Sequence, residues 1–167
     1  PGTMIQGLPG QEENASALII ARDGEIQAEG TAAKPIVFTK ENAPYDGTGS
    51  DLTENGQWGG IIVLGASTNN NPTNDRRIEG IPDDAAYPAE YGGTDAADNS
   101  GVLKYISIRH GGTDIGAGNE INGLSFGSVG TGTTVDQIEV IANKDDGVEW
   151  FGGTVNTKHL LTTYCGD

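Results

Sequence analysis

The chain has 167 residues, enough for one domain with its own core, yet 27 of them are glycine, 20% are charged and only 35% are hydrophobic, which is poor for a compact globular enzyme. Twenty-four acidic against nine basic residues leave a formal charge of −15, whose field repels phosphate backbones and anionic lipid and so argues against nucleic acid or a membrane surface as partner. The longest apolar run, 59–66, falls well short of the roughly 20 residues of a membrane-spanning helix, and the single Cys165 can form no internal disulfide.

Helix signals are few. Residues 11–17 suit one or two turns, and a second helical pattern at 83–91 is interrupted by Pro88. Short β-branched clusters bounded by Gly, Asn and Asp instead predict strands at 18–21, 25–28 and 35–39, with Asp23-Gly24 and Glu29-Gly30-Thr31 as corners. Residues 41–101 form a loop-rich insertion from which only 58–65 reads as a strand, and regular coils follow over 102–167.

The regular part repeats itself. Apolar-x-x-apolar-x-apolar occurs at Leu103, Ile106, Ile108, again at Val135, Ile138, Val140, and in degenerate form at Thr157, Leu160, Thr162. The last two copies lie 22 residues apart, and an interleaved Gly-apolar-x-aromatic pattern recurs at Gly123 and Gly147, 24 residues apart. Two interleaved periods of this length predict stacked coils, since a turn of about 22 residues cannot bury its inner face alone and must borrow partners from its neighbours. The fold expected is all-β: a right-handed, single-stranded parallel β-helix, a solenoid with long loop insertions and little helix. Ile106, Ile108, Ile138, Val140, Leu160 and Thr162 then point inward, and Ser107, Glu139 and Leu161 outward. Corners fall at Gly111-Gly112, Gly127, Gly130, Gly147 and Gly152-Gly153, and at Asn143 and Asn156.

The chain resembles a family of large secreted or cell-surface right-handed parallel β-helix proteins from Bacteroidota-type and marine bacteria. The residues that carry the resemblance are Pro1 to Gly7, Ala17-Leu18-Ile19-Ile20-Ala21-Arg22, Trp58-Gly59-Gly60, Ile78-Glu79-Gly80-Ile81-Pro82, Ile108-Arg109-His110-Gly111-Gly112 and Asp145-Asp146-Gly147-Val148-Glu149-Trp150-Phe151-Gly152-Gly153. The resemblance implies a secreted protein or one on the outer surface of a Gram-negative bacterium. It also implies that the 167 residues are part of a longer chain, whose remaining coils would be partners of this one.

Candidate sites are sparse. Asp95, Asp98 and Asn99 place oxygen ligands at short spacing in one loop, where they serve either a Ca²⁺ ion or Asx turns. Asp145 and Asp146, with Asp167 one coil later, form either an acidic ridge that attracts a cation or a plain turn screened by Lys144. No cofactor is required, and Ca²⁺ is the one metal the sequence suggests. Arg109 and His110 are the catalytic alternative, because β-helix polysaccharide lyases use a basic residue on an exposed strand to remove a proton beside a uronate; alternation turns Arg109 outward and His110 towards the core. Asn119-Glu120 and the aromatics Trp58, Trp150 and Phe151 suggest contact with sugar, with Trp150 on the inward face and Trp58 and Phe151 as surface platforms. No Ser-His-Asp order, Cys/His metal cluster, phosphate loop or dinucleotide fingerprint is present.

Two functions remain open. The first is a non-enzymatic extracellular or cell-surface scaffold for adhesion, matrix or filament assembly, or glycan contact, with a polysaccharide or another surface protein as partner. The second is a polysaccharide-active, lyase-like enzyme working on an outward strand face.

Overall fold

The computed structural model describes residues 1–71, 73, 76–82, 86–116 and 118–167. β1 (Met4–Gly7) precedes the first coil, which contains β2 (Leu18–Ile20), β3 (Ile26–Glu29) and β4 (Ile36–Lys40). The second coil starts with β5 (Ile61–Leu64), makes an excursion through β6 (Arg76–Arg77) and β7 (Glu90–Tyr91), and closes with β8 (Gly101–Arg109). After a small hairpin of β9 (Thr113–Asp114) and β10 (Glu120–Ile121), the third coil is β11 (Leu124–Gly127) and β12 (Thr134–Ile141). The fourth is β13 (Val148–Phe151) and β14 (Thr157–Thr163). Among the described residues, helix is limited to one 3-10 turn at Glu12–Asn14; the signal at 83–91 starts in residues 83–85, outside the described ones, and ends in strand β7.

Two parallel sheets run along the stack. One has the order β1-β4-β8-β12-β14, with β3 also on β8, and the other the order β13-β11-β5-β2. The expected columns form. Ile36, Ile106, Ile138 and Leu160 share one register position, and Phe38, Ile108, Val140 and Thr162 share the next inward one. Across the interior, Leu18, Ile61, Leu124 and Val148 stack, as do Ile20, Val63, Phe126 and Trp150. These side chains meet in one continuous core between the sheets, where Ile61, Val63, Leu103, Ile108, Leu124 and Phe126 are fully shielded. The fold is an all-β parallel β-helix, as the two interleaved repeats predicted.

The doubled x in the repeat turns out to be a corner. β8, β12 and β14 each bend at a residue with left-handed backbone, Tyr105 (φ 51°), Gln137 (φ 58°) and His159 (φ 52°), and the pairing passes over all three: Lys104 pairs with Asp136 and Ile106 with Ile138. A second row lies at His110 (φ 61°), Ala142 (φ 56°) and Tyr164 (φ 55°). None of the six is glycine, so each pays a left-handed penalty of roughly 1–2 kcal/mol. Coil-to-coil hydrogen bonds on both sides, such as Ala142 N–H to Thr163 O at 3.0 Å, hold the conformation in place.

Outside the core, the outward position beside the first corner carries Glu29, Lys104, Asp136 and Lys158 in register, alternating in sign from coil to coil. Lys104 Nζ lies 3.7 Å from Glu29, and His159 Nδ1 lies 2.7 Å from Asp136. A residue directly opposite another in a sheet feels its charge strongly, so alternation turns a repulsive column into an attractive one. Replacing Lys104→Glu puts three acids in a row and is expected to cost on the order of 1 kcal/mol, with partial recovery in high salt, when urea unfolding is followed at two ionic strengths. Ile138→Ala opens a cavity at the centre of a column and is expected to cost about 2–5 kcal/mol in the same measurement.

Candidate functional site

Much of the outer face of the second sheet is apolar, which is unusual for a surface, although Ser125 and Glu149 continue one of its columns. Ile19 and Ile62 occupy one outward column, Leu64, Gly127 and Phe151 another. The excursion between β5 and β8 covers this face with Ile78, Ile81, Ala89 and Tyr91, forming a second small core outside the coil. The 41–101 insertion therefore supplies a packed layer and one coil strand, β5, as well as loops. Gly127 is what lets the layer sit down: a Cβ there would lie 2.7 Å from Tyr91 Cγ, so only glycine admits the ring against the sheet. Tyr91 then meets Phe151 with ring centroids 6.3 Å apart, tilted by 52°.

A cleft of about 610 Å³ opens beside these two rings, bordered by Asn69, Asn70, Asn71 and Arg76. Its asparagine rim is held by its own bonds. Asn69 Nδ2 donates to Ser128 Oγ at 3.0 Å, Asn69 Oδ1 accepts the Asn71 amide at 2.9 Å, and Asn71 Oδ1 accepts both the amide and the hydroxyl of Thr73. A neighbouring cleft of about 560 Å³ shares Arg76, Tyr91 and Phe151 and extends to Arg77, Glu79 and Asn119. Arg77 is committed to Glu90 at 2.8 Å and to the Pro82 carbonyl at 2.8 Å, while Asn119 Oδ1 accepts the Gly80 amide at 2.6 Å.

Carboxylates gather at the far end. Glu149, outward on β13, accepts a 2.6 Å hydrogen bond from the buried Asn122 amide, and its charge acts on Glu79 nearby. Partial burial, then the charges of Glu149, Glu120 and Asp145, push Glu79 up to about 7. Burial likewise raises Glu149, and it raises Glu120 together with Asp145 and Asp114. Neither Glu79 nor Glu149 was singled out as a site residue from sequence, although both stand in quoted motifs; their proximity brings the insertion to the last coil, which no local pattern encodes.

The residues expected to carry chemistry fall elsewhere. Arg109 faces outward, as alternation required, but its guanidinium is occupied: Nε donates to Ser107 Oγ at 2.7 Å, one terminal nitrogen to the Tyr45 carbonyl at 3.1 Å, and the other lies 3.7 Å from Glu139. His110 is buried at a corner with Nδ1 2.6 Å from the Glu54 carbonyl oxygen. Both side chains anchor the 41–57 loop. In the 95–99 loop, Asp95 Oδ1 accepts the Ala97 amide and Asn99 Oδ1 the Gly101 amide, each at 2.9 Å, and the buried Asp98 accepts from Gly130 at 3.2 Å. Asp146 is raised by burial and by the nearby charges of Asp145 and Asp167, so those three acids do lie close together. Among the described residues, no group of three His, Cys, Asp or Glu side chains is arranged to hold a metal ion.

Two aromatics depart from expectation. Trp58, expected as a surface platform, is buried, with its indole N–H donating to the Arg109 carbonyl at 2.8 Å, because the preceding loop folds back over the corner. Trp150 does lie in the interior column, its ring stacked on Phe126 at 6.2 Å, but it belongs to the fourth coil and remains 43% exposed. Phe151 points outward as predicted and is half-buried against Tyr91.

This arrangement of coils agrees with comparison to known families: the model of the pectate-lyase-like β-helix domain matches residues 1–167. The chain belongs to that family. No curated protein and no solved structure matches it. The pectate-lyase-like β-helix accommodates both scaffolds and polysaccharide-active enzymes, so family membership sets the fold and leaves function to the site. In this β-helix domain the loop-anchoring role of Arg109 is open to direct measurement. Arg109→Ala removes bonds to Tyr45, Ser107 and Glu139 and is expected to lower stability by about 1–3 kcal/mol in urea unfolding, and to speed proteolytic nicking within 41–57.

Proposed function

We propose that this β-helix domain is an extracellular or cell-surface scaffold, without catalytic activity of its own, that contacts glycan through the cleft beside Tyr91 and Phe151. The observation that carries this reading is the lining of the cleft, which brings the aromatic rings of Tyr91 and Phe151 together with the amide side chains of Asn69, Asn70 and Asn71 and with Arg76. A sugar ring presents C–H groups to an aromatic surface and hydroxyls to its surroundings, and amides answer hydroxyls because each supplies donors and an acceptor. A volume of about 610 Å³ lies within the range of small-molecule sites. The rim's internal hydrogen bonds favour a preformed surface, which reduces the ordering cost of binding.

The scaffold reading is further supported by the bonds that occupy Arg109 and His110, since a base that removes a proton from substrate must reach it. The acidic composition suits solubility in extracellular water, and the partners that fit a stack of coils with outward columns are polysaccharide or another surface protein.

Titration calorimetry against a panel of neutral and acidic oligosaccharides tests the proposal. Binding is expected for the unaltered chain, and Arg76→Ala and Asn70→Ala, both on the cleft border, are each expected to weaken it about tenfold or more without lowering the melting temperature. Absence of binding across the panel, or binding unaffected by both substitutions, would remove the cleft from the argument. Release of unsaturated uronate, seen as ultraviolet absorbance, would replace the scaffold by a lyase.

A further inference from the structure

We infer that the chain carries a second glycan site, a groove along the corner of the first sheet that takes an extended, uncharged sugar chain laid parallel to the stack. The domain would then bridge two glycans from opposite faces. The inference goes beyond the cleft beside Tyr91 and Phe151, because the groove lies on the other sheet and shares no residue with that cleft.

The groove encloses about 390 Å³ on the outward side of the corner formed by Tyr105, Gln137 and His159. Its walls come from successive coils: Pro35 before β4, Ser107 on β8, Glu139 on β12 and Leu161 on β14. It therefore follows the axis of the stack rather than any one strand. The three corner residues have left-handed backbone, which glycine adopts without cost and Tyr, Gln and His do not. A glycine would make the same bend more cheaply; what these residues add is a side chain, and all three border the groove.

The polar groups of the groove are braced from its flank. Lys104 Nζ lies 5.8 Å from the centre of the Tyr105 ring, Asp136 Oδ1 lies 2.7 Å from His159 Nδ1, and Arg109 Nη2 lies 3.7 Å from Glu139. This bracing leaves the Tyr105 hydroxyl, the Gln137 amide and His159 Nε2 without a hydrogen-bond partner among the described residues. Donors and acceptors held in place along a groove, with a ring among them, suit a hydroxyl-rich chain, and their prior positioning lowers the cost of binding it.

Charge and period select the ligand. The charges beside the groove alternate from Glu29 through Lys104 and Asp136 to Lys158, and Arg109 offsets Glu139, so no single sign dominates and a polyanion gains nothing there. Successive coils follow one another at about 4.8 Å, the spacing of a parallel ladder. An extended pyranose chain advances by nearly that amount per sugar, so consecutive rings fall over consecutive coils. An extended peptide advances by about 3.3 Å per residue and drifts out of step with them.

Amide shifts in NMR spectra separate the two sites residue by residue. Xylose and mannose oligomers, from the disaccharide to the hexasaccharide, are titrated into the unaltered protein and into Arg76→Ala, with hexagalacturonate as the acidic counterpart and an unstructured Ser/Thr-rich decapeptide as the peptide one. In both proteins the neutral chains are expected to shift the amides of 105–107, 137–139 and 159–161, with affinity that rises up to about four sugars, one per coil, and then levels off. Hexagalacturonate and the peptide are expected to bind there about fivefold more weakly or worse. Gln137→Gly removes an amide from the middle of the groove while easing its left-handed backbone, so it is expected to hold or raise the melting temperature and yet weaken groove binding about tenfold. Shifts confined to the groove would support it and remove the Tyr91 cleft; absence of shifts in the groove overturns it, whether or not the cleft responds. Affinity independent of chain length, equal binding of the peptide or of hexagalacturonate, or unchanged binding by Gln137→Gly likewise overturns the assignment.

Discussion

Everything in this molecule depends on strands of successive coils lying in register at the spacing of a parallel ladder. A single coil has two or three short strands and an inner face of a few apolar side chains, too little to exclude water. Stacked, the same side chains become columns: Ile36, Ile106, Ile138 and Leu160 on one wall face Leu18, Ile61, Leu124 and Val148 on the other. Register also governs the polar groups, because a ladder puts every residue directly over its counterpart. The corner residues Tyr105, Gln137 and His159 share a left-handed conformation that none of their side chains prefers; the hydrogen bonds of the coils above and below impose it.

The same geometry explains where a site can form. The inner faces of both sheets are consumed by the core, so only insertions and outward columns remain for contact with other molecules. Here the excursion between β5 and β8 lies on an apolar outward column, and a missing side chain at Gly127 makes room for Tyr91. The two rings meet where that layer packs on the coil, and the cleft opens beside them. Arg109 and His110 perform the corresponding task for the 41–57 loop, fastening it across a corner.

Much of the coil was legible because stacking writes itself into the sequence as a period. The copies at Ile106, Ile138 and Leu160 gave the columns and their inward sense, even in the degenerate third copy where Leu161 faces solvent. The corner inside β8 was legible in principle too: strict alternation has one residue between inward positions, and the two between Leu103 and Ile106 mark a bend. What escaped was the outer layer. Trp58 resembles a surface platform until the folded-back loop is known, and Glu79 resembles any loop glutamate until β13 brings Glu149 near it. Such contacts join segments far apart in sequence, 51 residues between Trp58 and Arg109, with no repeat to announce them.

The column of Glu29, Lys104, Asp136 and Lys158 has a bearing on how such a solenoid can lengthen. Inserting a copy of one coil beside its parent would set lysine on lysine or acid on acid, whereas inserting two consecutive coils preserves the alternation of sign. For this wall of the helix the natural unit of growth is therefore a pair of coils, although the apolar interior repeats with every one.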